Sequence, residues 1–474
     1  MITICAMTLA IMSFPLSSLD LRSADQGWGL SQANLSVTGK PMRIGGKTYS
    51  QGWGTHAPSE LIVDLKGTAT RFRTEIGVDA AADGPGSVRF RVIGDGRTIF
   101  QSGTLSRSDP AVAVEVDLTG IRTLVLQTDS TGDGMASDHA NWADAVIVTQ
   151  GAVPVALEVL PARQGRINPG KRWRDVNGNL IQAHSGGILV HGGRVYWFGE
   201  ERTHGYNNKT GVAAYSSADL VRWRPEGTVM EKSAFPTMFQ DDGVCERPKV
   251  IYNRRTRKFV MWSHLDANGY RNSRAGIAIA DRITGPFMHV KDYQPFPGKT
   301  YRDQNLFVDD DGTAYAFYSS EDNATMHIVR LDDDYLSHVE PSVEGKTWAR
   351  AFVGGYREAP APFKYKGKYY VITSGCTGWN PNPAQVAMAD HPLGPWKVLG
   401  NPAIGRGAET TFRSQSTFVF SPPGARPGHY VFMADRWNEA DLADSRYVWL
   451  PFRITQPERV AIPWRDVWDP AELR

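Results

Sequence analysis

The sequence predicts an all-β protein, with an N-terminal, jelly-roll-like β-sandwich followed by a five-bladed β-propeller. Three observations predict it. Residues 19–150 alternate apolar and polar side chains in short runs separated by Gly, Asp and Asn turns, the period of half-buried strands. Residues 173–474 carry one unit five times, starting at His184, Glu246, Asp303, Glu358 and Gln415, at spacings of 62, 57, 55 and 57 residues. Short strands repeated at a period of this order are the mark of propeller blades. The composition agrees: 47 Gly and 29 Pro imply many turns, and 14 Trp, 17 Tyr and 19 Phe suit sheets.

A chain of 474 residues exceeds one ordinary domain. A formal net charge of +2, with no basic run, argues against a nucleic-acid footprint. An aromatic-rich, nearly neutral surface fits an uncharged polymer such as a polysaccharide or oligosaccharide. Three cysteines (Cys5, Cys245 and Cys376) cannot frame a disulfide scaffold, and the last two read as free, buried thiols. Residues 1–18, MITICAMTLAIMSFPLSS, form an apolar run ending in small residues and read as a leader peptide, although no Lys or Arg precedes it. The run is too short for a membrane span. The expectation is a secreted or periplasmic protein, with a misassigned start codon as the alternative.

The sandwich strands are ELIVDL (60–65), RFRTEIGV (71–78), SVRFRVIG (87–94), VAVEVDL (112–118), TLVLQTD (123–129) and AVIV (145–148). Four stretches, YSQGWGTHAPSELIVDL, IGVD, GSVRFRVIGDG and DGMASDHANWADA, resemble in order and spacing the NPCBM family of carbohydrate-binding modules. His56, Asp138, His139 and Trp142 could form a sugar or metal site there. As buried polar groups tying loops to a sandwich they need no ligand, and that reading is preferred. Residues 151–172 have scattered Pro and Gly and no period, and read as a linker that packs against a domain.

Each unit of the second domain starts with a polar residue, then an apolar strand, a turn, an aromatic strand, a loop and a third strand. The aromatic strands are VYWFGEE, FVMWSHL, TAYAFYSS, KYYVITSG and HYVFMAD. The phrases DLVRW, ITGPF, DDDYL and PLGPW close the first four units. In a propeller the first strands line the axis, so His184, Glu246, Asp303, Glu358 and Gln415 would meet at one mouth. Singly, such residues cap strands or hold a water or structural ion on the axis. Three carboxylates together raise each other's pKa, which suits catalysis. No cofactor and no metal are called for.

An Asp before NLFVDDDG in unit three and a Glu in YREAPAPFKY resemble glycoside hydrolase family 43. The family's usual base, an Asp on blade one, is absent, and His184 stands there in QAHSGGIL. Together QAHSGGIL, CERPKVIYN, YREAPAPFKY, SGCTGWNPNP and RSQSTFVF resemble the exo-β-1,3-galactanase branch, which also lacks that Asp. The resemblance implies an inverting hydrolase releasing galactose from β-1,3-galactan, the arabinogalactan backbone. It implies Glu358 as general acid, Asp303 as the residue tuning it, and Gln415 as holder of the attacking water. An amide is a poor base and would act as its imidic-acid tautomer or by positioning; Glu246 is the chemically simpler base but is also placed to bind a sugar hydroxyl, and the resemblance puts Gln415 slightly ahead. An arabinofuranosidase, a β-xylosidase or a non-catalytic carbohydrate-binding protein are the competing readings. His184 reads as a hydrogen-bonding wall or ion ligand. Trp379 and Asn380, then Tyr206 and Trp437, are the expected sugar contacts, while Trp197 and Trp262 read as core.

Overall fold

The computed structural model describes residues 11–82, 84–131, 137–157, 165–203, 211–236, 243–267 and 269–474. The chain forms two compact units, 1–160 and 161–474. Among the described residues the only helices are short 3-10 turns, and no helix is long and apolar enough to cross a membrane.

Among the described residues the first unit has a small hairpin, Met42–Ile44 with Lys47–Tyr49, and two large antiparallel sheets. One runs Val112–Asp117, Ala69–Val78, His139–Thr149, Gly52–His56, Gln32–Ala33; the other runs Arg97–Gln101, Ser87–Gly94, Thr123–Ser130, Ser59–Asp64, Val155–Leu157. Strand alternation builds the shared core: Val88, Phe90 and Val92 are fully buried with Leu124 and Leu126, beside Phe72, Trp53 and Trp142. Two expected boundaries move. Met12–Pro15 pairs with His139–Thr149, and Leu16 is fully buried, so the unit begins within the stretch read as leader. At the other end Val155–Leu157 pairs with Ser59–Asp64, while Ile167 bridges Trp468 and joins the core of the second unit. Free backbone groups on sheet edges attract such flanking segments, so the linker shortens from both ends. Asp138 accepts from Ser87 N (2.9 Å), and His56 Nδ1 lies 2.7 Å from Ala57 O. Trp142 is fully buried.

Among the described residues the second unit has, besides a short parallel pair, Ala403–Ile404 with Ile462–Pro463, five antiparallel sheets in chain order. Four have four strands, and the fifth has three, Gln415–Phe420, His429–Arg436 and Arg446–Arg453. First strands of successive sheets touch, and the fifth also touches the first, closing a ring. The ring encloses a cavity of about 320 Å³ lined from all five first strands, Gly187, Val250, Phe307, Phe363 and Val419 among them. Trp197 and Trp262 are buried between sheets.

A repeated irregularity shapes one end of the ring. In the first four sheets the register breaks just inside the first strand, at His184/Gly187, Glu246/Lys249, Arg302/Asn305 and Glu358/Ala361. The residue inside each break is left-handed: Ser185, Arg247, Asp303 and Ala359 have φ of 48°, 50°, 47° and 54°. Such a conformation costs about 1–3 kcal/mol at a non-glycine residue, and a bulge re-aims the side chains around it. The equivalent mouth positions are therefore His184, Glu246, Arg302, Glu358 and Gln415. Asp303, expected to be one of them, sits one place later, on the bulge itself.

Candidate active site

Each mouth residue faces a partner on the second strand of its own sheet: His184 opposite Glu200, Glu246 opposite His264, Arg302 opposite Ser319, Glu358 opposite Ser374, Gln415 opposite Asp435. The second-strand partners are all buried. Three of them, Glu200, His264 and Asp435, are of ionisable types that the sequence reading did not single out. Their signal was the polar residue ending each aromatic strand.

Arg247 holds the mouth together. Its side chain is buried, with Nε 3.0 Å from Asp303 Oδ1, Nη1 donating to Ser416 O (3.1 Å) and Nη2 donating to Gln415 Oε1 (2.6 Å). Its backbone N donates to Glu200 Oε1 (2.7 Å). Burial opposes its charge, but the Asp303 and Glu358 carboxylates overcome that and raise its pKa. Trp437 Nε1 also donates to Gln415 Oε1 (3.1 Å), and Gln415 Nε2 donates to Glu358 Oε1 (2.8 Å). A guanidinium and an indole only donate, so the amide orientation is fixed and its oxygen has both lone pairs engaged.

Glu358 is 8% exposed. Burial first, and the Asp303 charge second, push its carboxyl up to about 8; Arg247, Cys376 and Gln415 pull the other way. Burial is thus a larger cause than the neighbouring charge. Asn323 Nδ2 contacts Glu358 Oε2 at 3.3 Å. Cys376 is free and half-buried rather than buried; burial and the nearby Glu358 push its thiol up to about 12, so it remains an S–H donor. Cys245 is buried.

Glu246 accepts from Tyr270 Oη (2.9 Å), and Arg202 Nη2 lies 3.6 Å from it. Its Oε2 is 3.2 Å from His264 Nδ1, and His264 Nε2 is 3.3 Å from Asp266 Oδ2. Burial opposes the imidazolium, yet Asp266 and Glu246 hold His264 up to about 9. Glu246, His264 and Asp303 offer three ligand atoms within 4.8 Å of one another. An imidazolium has no lone pair for a metal, so the trio suits a proton network better than a cation.

The aromatic wall comes from two loops. Trp379 (37% exposed) meets half-buried Trp437 edge-on, with ring centroids 5.6 Å apart. Asn380 is exposed, and only its backbone is engaged, in the turn with Thr377; the loop is clamped by Asn382, which accepts from Gly375 N (2.8 Å) and donates to Gly375 O (2.9 Å). Tyr206 lies outside the described residues. His184 does not form a wall: it has no exposed surface, stacks on Tyr447 at 5.1 Å, and lies behind Trp437. Burial, then the charges of Arg202 and Arg446, push it down to about 3, so it is neutral.

A carboxylic acid kept neutral near pH 7, beside other acidic side chains and an exposed aromatic face, is the equipment of a glycoside hydrolase. The glycosyl hydrolases family 43 model matches residues 186–417, and the NPCBM/NEW2 domain model matches residues 13–148. A solved family 43 β-1,3-galactosidase with galactodeoxynojirimycin is 41% identical over 64% of this chain and 100% of its own, at a TM-score of 0.59. An exo-β-1,3-galactanase from Clostridium thermocellum is 36% identical over 64% of this chain and 66% of its own, at a TM-score of 0.59. The protein belongs to glycosyl hydrolases family 43. Among curated proteins, the α-1,3-galactosidase B of Akkermansia muciniphila is 35% identical over 149 residues, 31% of this chain. The chain spans 18% of the length of that relative and 10% of another.

Proposed function

We propose that the protein is an exo-acting, inverting β-1,3-galactosidase that releases galactose from β-1,3-galactan such as the arabinogalactan backbone. The five sheets are read as the blades of a propeller with the site at one mouth, and the first unit as an accessory carbohydrate-binding sandwich. The observation that carries the reading is Glu358, a buried carboxyl that is neutral up to about pH 8 and flanked by an aromatic wall. Solved β-1,3-galactosidases at 41% and 36% identity support the substrate class.

Glu358 protonates the leaving glycosidic oxygen. Gln415 donates to Oε1 at 2.8 Å, while the longer Asn323 contact at 3.3 Å takes one lone pair of Oε2, so Oε2 is the oxygen assigned the proton. Water attacks the anomeric carbon from the opposite face as the glycosidic bond breaks, and loses its proton to a base. Acid and base in an inverting site stand about 6.5–9.5 Å apart. Gln415 lies on the acid's own side, 2.8 Å from Glu358, and its oxygen is occupied by Arg247 and Trp437. An imidic-acid form would put a proton on that oxygen, facing two donors. Glu246, a carboxylate, therefore takes the water's proton, and Gln415 acts as an amide that positions the acid.

Export remains part of this reading. A leader cut after Ser18 would remove the paired strand Met12–Pro15, so N-terminal sequencing of the exported protein tests this part of the reading.

Incubation with linear β-1,3-galactan, beside arabinan and xylan, tests the proposal. Galactose from the first substrate alone, first formed as the α-anomer by NMR, is expected. Pentose from a control, or no sugar at all, would overturn it. Glu358→Gln should cut hydrolysis by about 10²–10⁴-fold and leave oligosaccharide binding intact.

A further inference from the structure

The second sheet contains buried titratable groups that the reaction scheme above does not use. Along Lys258–Asp266, His264 and Asp266 are two residues apart and so share one face of the strand. Both have essentially no exposed surface. His264 reaches forward to Glu246 (Nδ1 to Oε2, 3.2 Å) and back to Asp266 (Nε2 to Oδ2, 3.3 Å). Ser273 settles the proton on Nε2. Its hydroxyl donates to Tyr301 O (2.9 Å), so toward His264 Nε2, at 3.2 Å, it can only accept. Nε2 thus faces two acceptors and carries hydrogen, while Nδ1 faces a carboxylate. Asp266 is itself anchored, accepting from Asn272 N (2.7 Å), which secures the loop that presents Tyr270 to Glu246.

We propose that His264 and Asp266 form a buried positioning dyad that keeps Glu246 ionised and aimed at the attacking water. Asp266 holds the ring in place and balances its charge, and the imidazolium favours the Glu246 carboxylate over its acid, as an opposite charge at this range does. Among the described residues, Glu246 is faced by His264 from its own sheet and Tyr270 from the loop after the His264 strand, by Arg202 from the preceding sheet and by Asp303 from the next. Of these, Asp303 opposes ionisation, but its charge is shared with Arg247. Arg202 is shared with Glu200, an ion pair on the preceding sheet. His264 is the cation whose other partner, Asp266, lies on the far side from Glu246. Both are positioning residues and touch no substrate.

The inference rests on Glu246 as the proton acceptor, so the test separates the two. The pH dependence of kcat/KM is measured on an aryl β-galactoside for the wild type, His264→Gln and Asp266→Asn. Loss of the imidazolium should move the acid limb of His264→Gln upward by about one pH unit or more, with kcat on the plateau within about tenfold of wild type. Asp266→Asn, nearly isosteric and the fallback if the first variant does not fold, should move the limb the same way by less. An unmoved limb, whatever the loss of rate, would overturn the dyad. Imidazole ¹⁵N NMR, with His264 assigned by the variant, should show both ring nitrogens protonated at pH 7, and a neutral ring would also overturn it. If the wild type leaves the galactoside intact, or Glu246→Gln keeps the wild-type rate, the site reading fails instead, and the NMR result still judges the dyad.

Discussion

The first two sheets of the ring place the same two residue types across the same strand pair, in opposite order. In the first sheet His184 is at the mouth and Glu200 behind it; in the second Glu246 is at the mouth and His264 behind it. Both histidines are buried to the same degree, yet His184 is pushed down to about 3 and His264 up to about 9. Burial opposes charge in both. The difference lies in the partners. His184 packs on Tyr447 with the Arg202 and Arg446 charges nearby, while Glu200 is engaged by Arg202 and the Arg247 backbone. His264 has a carboxylate on either side. Burial sets how strongly a partner is felt, and the partner decides the sign. The exchange leaves the first sheet with no carboxylate at its mouth and the second with one.

The largest effect that would sharpen this contrast is on the two glutamates. Glu246→Gln should lower kcat/KM by about 10²–10⁴-fold with little change in the urea midpoint. Glu200→Gln should act on the fold instead, because Arg202 would lose a buried partner, a cost of about 3–5 kcal/mol read by urea titration. If the two variants behaved alike, the contrast would be broken.

Next comes pH. His264, raised from 6.5 to about 9, contributes its full stability below pH 6.5 and loses it as pH rises through about 9. Glu358, raised from 4.5 to about 8, acts in the same direction, its contribution falling between those values. The thermal midpoint should therefore fall between pH 5 and 9.5, and His264→Gln should flatten the upper part of that decline. Activity should show an alkaline limb near pH 8, where the Glu358 carboxyl loses its proton.

A smaller effect is expected at His184. His184→Phe removes a ring that is already neutral, so both pH limbs should stay in place while kcat/KM falls a few-fold through the shifted Trp437. A moved limb would show that His184 is charged after all. The smallest effect expected is that of a chelator: dialysis against EDTA should leave kcat within about twofold, and a larger loss, restored by a divalent cation, would mean that Glu246, His264 and Asp303 hold a metal.

Much of the architecture was legible because it rests on local pattern. Period-two alternation marked strands such as Ser87–Gly94, and the recurring aromatic strands marked the five sheets. Glu358, Gln415 and Glu246 could be named from their places in the repeat. Asp303 and Arg247 were harder. Whether a residue stands at the mouth or one step later on a bulge depends on a left-handed torsion; Arg247 is not a residue type that announces one, and Asp303, though of a type that tolerates it, lies in an apolar strand with no turn signal of its own. His184 looked like a wall because a repeat gives a position along the axis but not a depth.

The sequence by itself therefore determined the principal strands, how often the unit recurs and which side chains end them, since these follow from hydrophobic period and turn chemistry along the chain. Only the tertiary structure decided protonation. That Glu358 is neutral, His264 charged, His184 uncharged and the Gln415 oxygen closed by Arg247 and Trp437 depends on groups from different sheets brought within hydrogen-bonding distance inside a medium too poor in water to screen them.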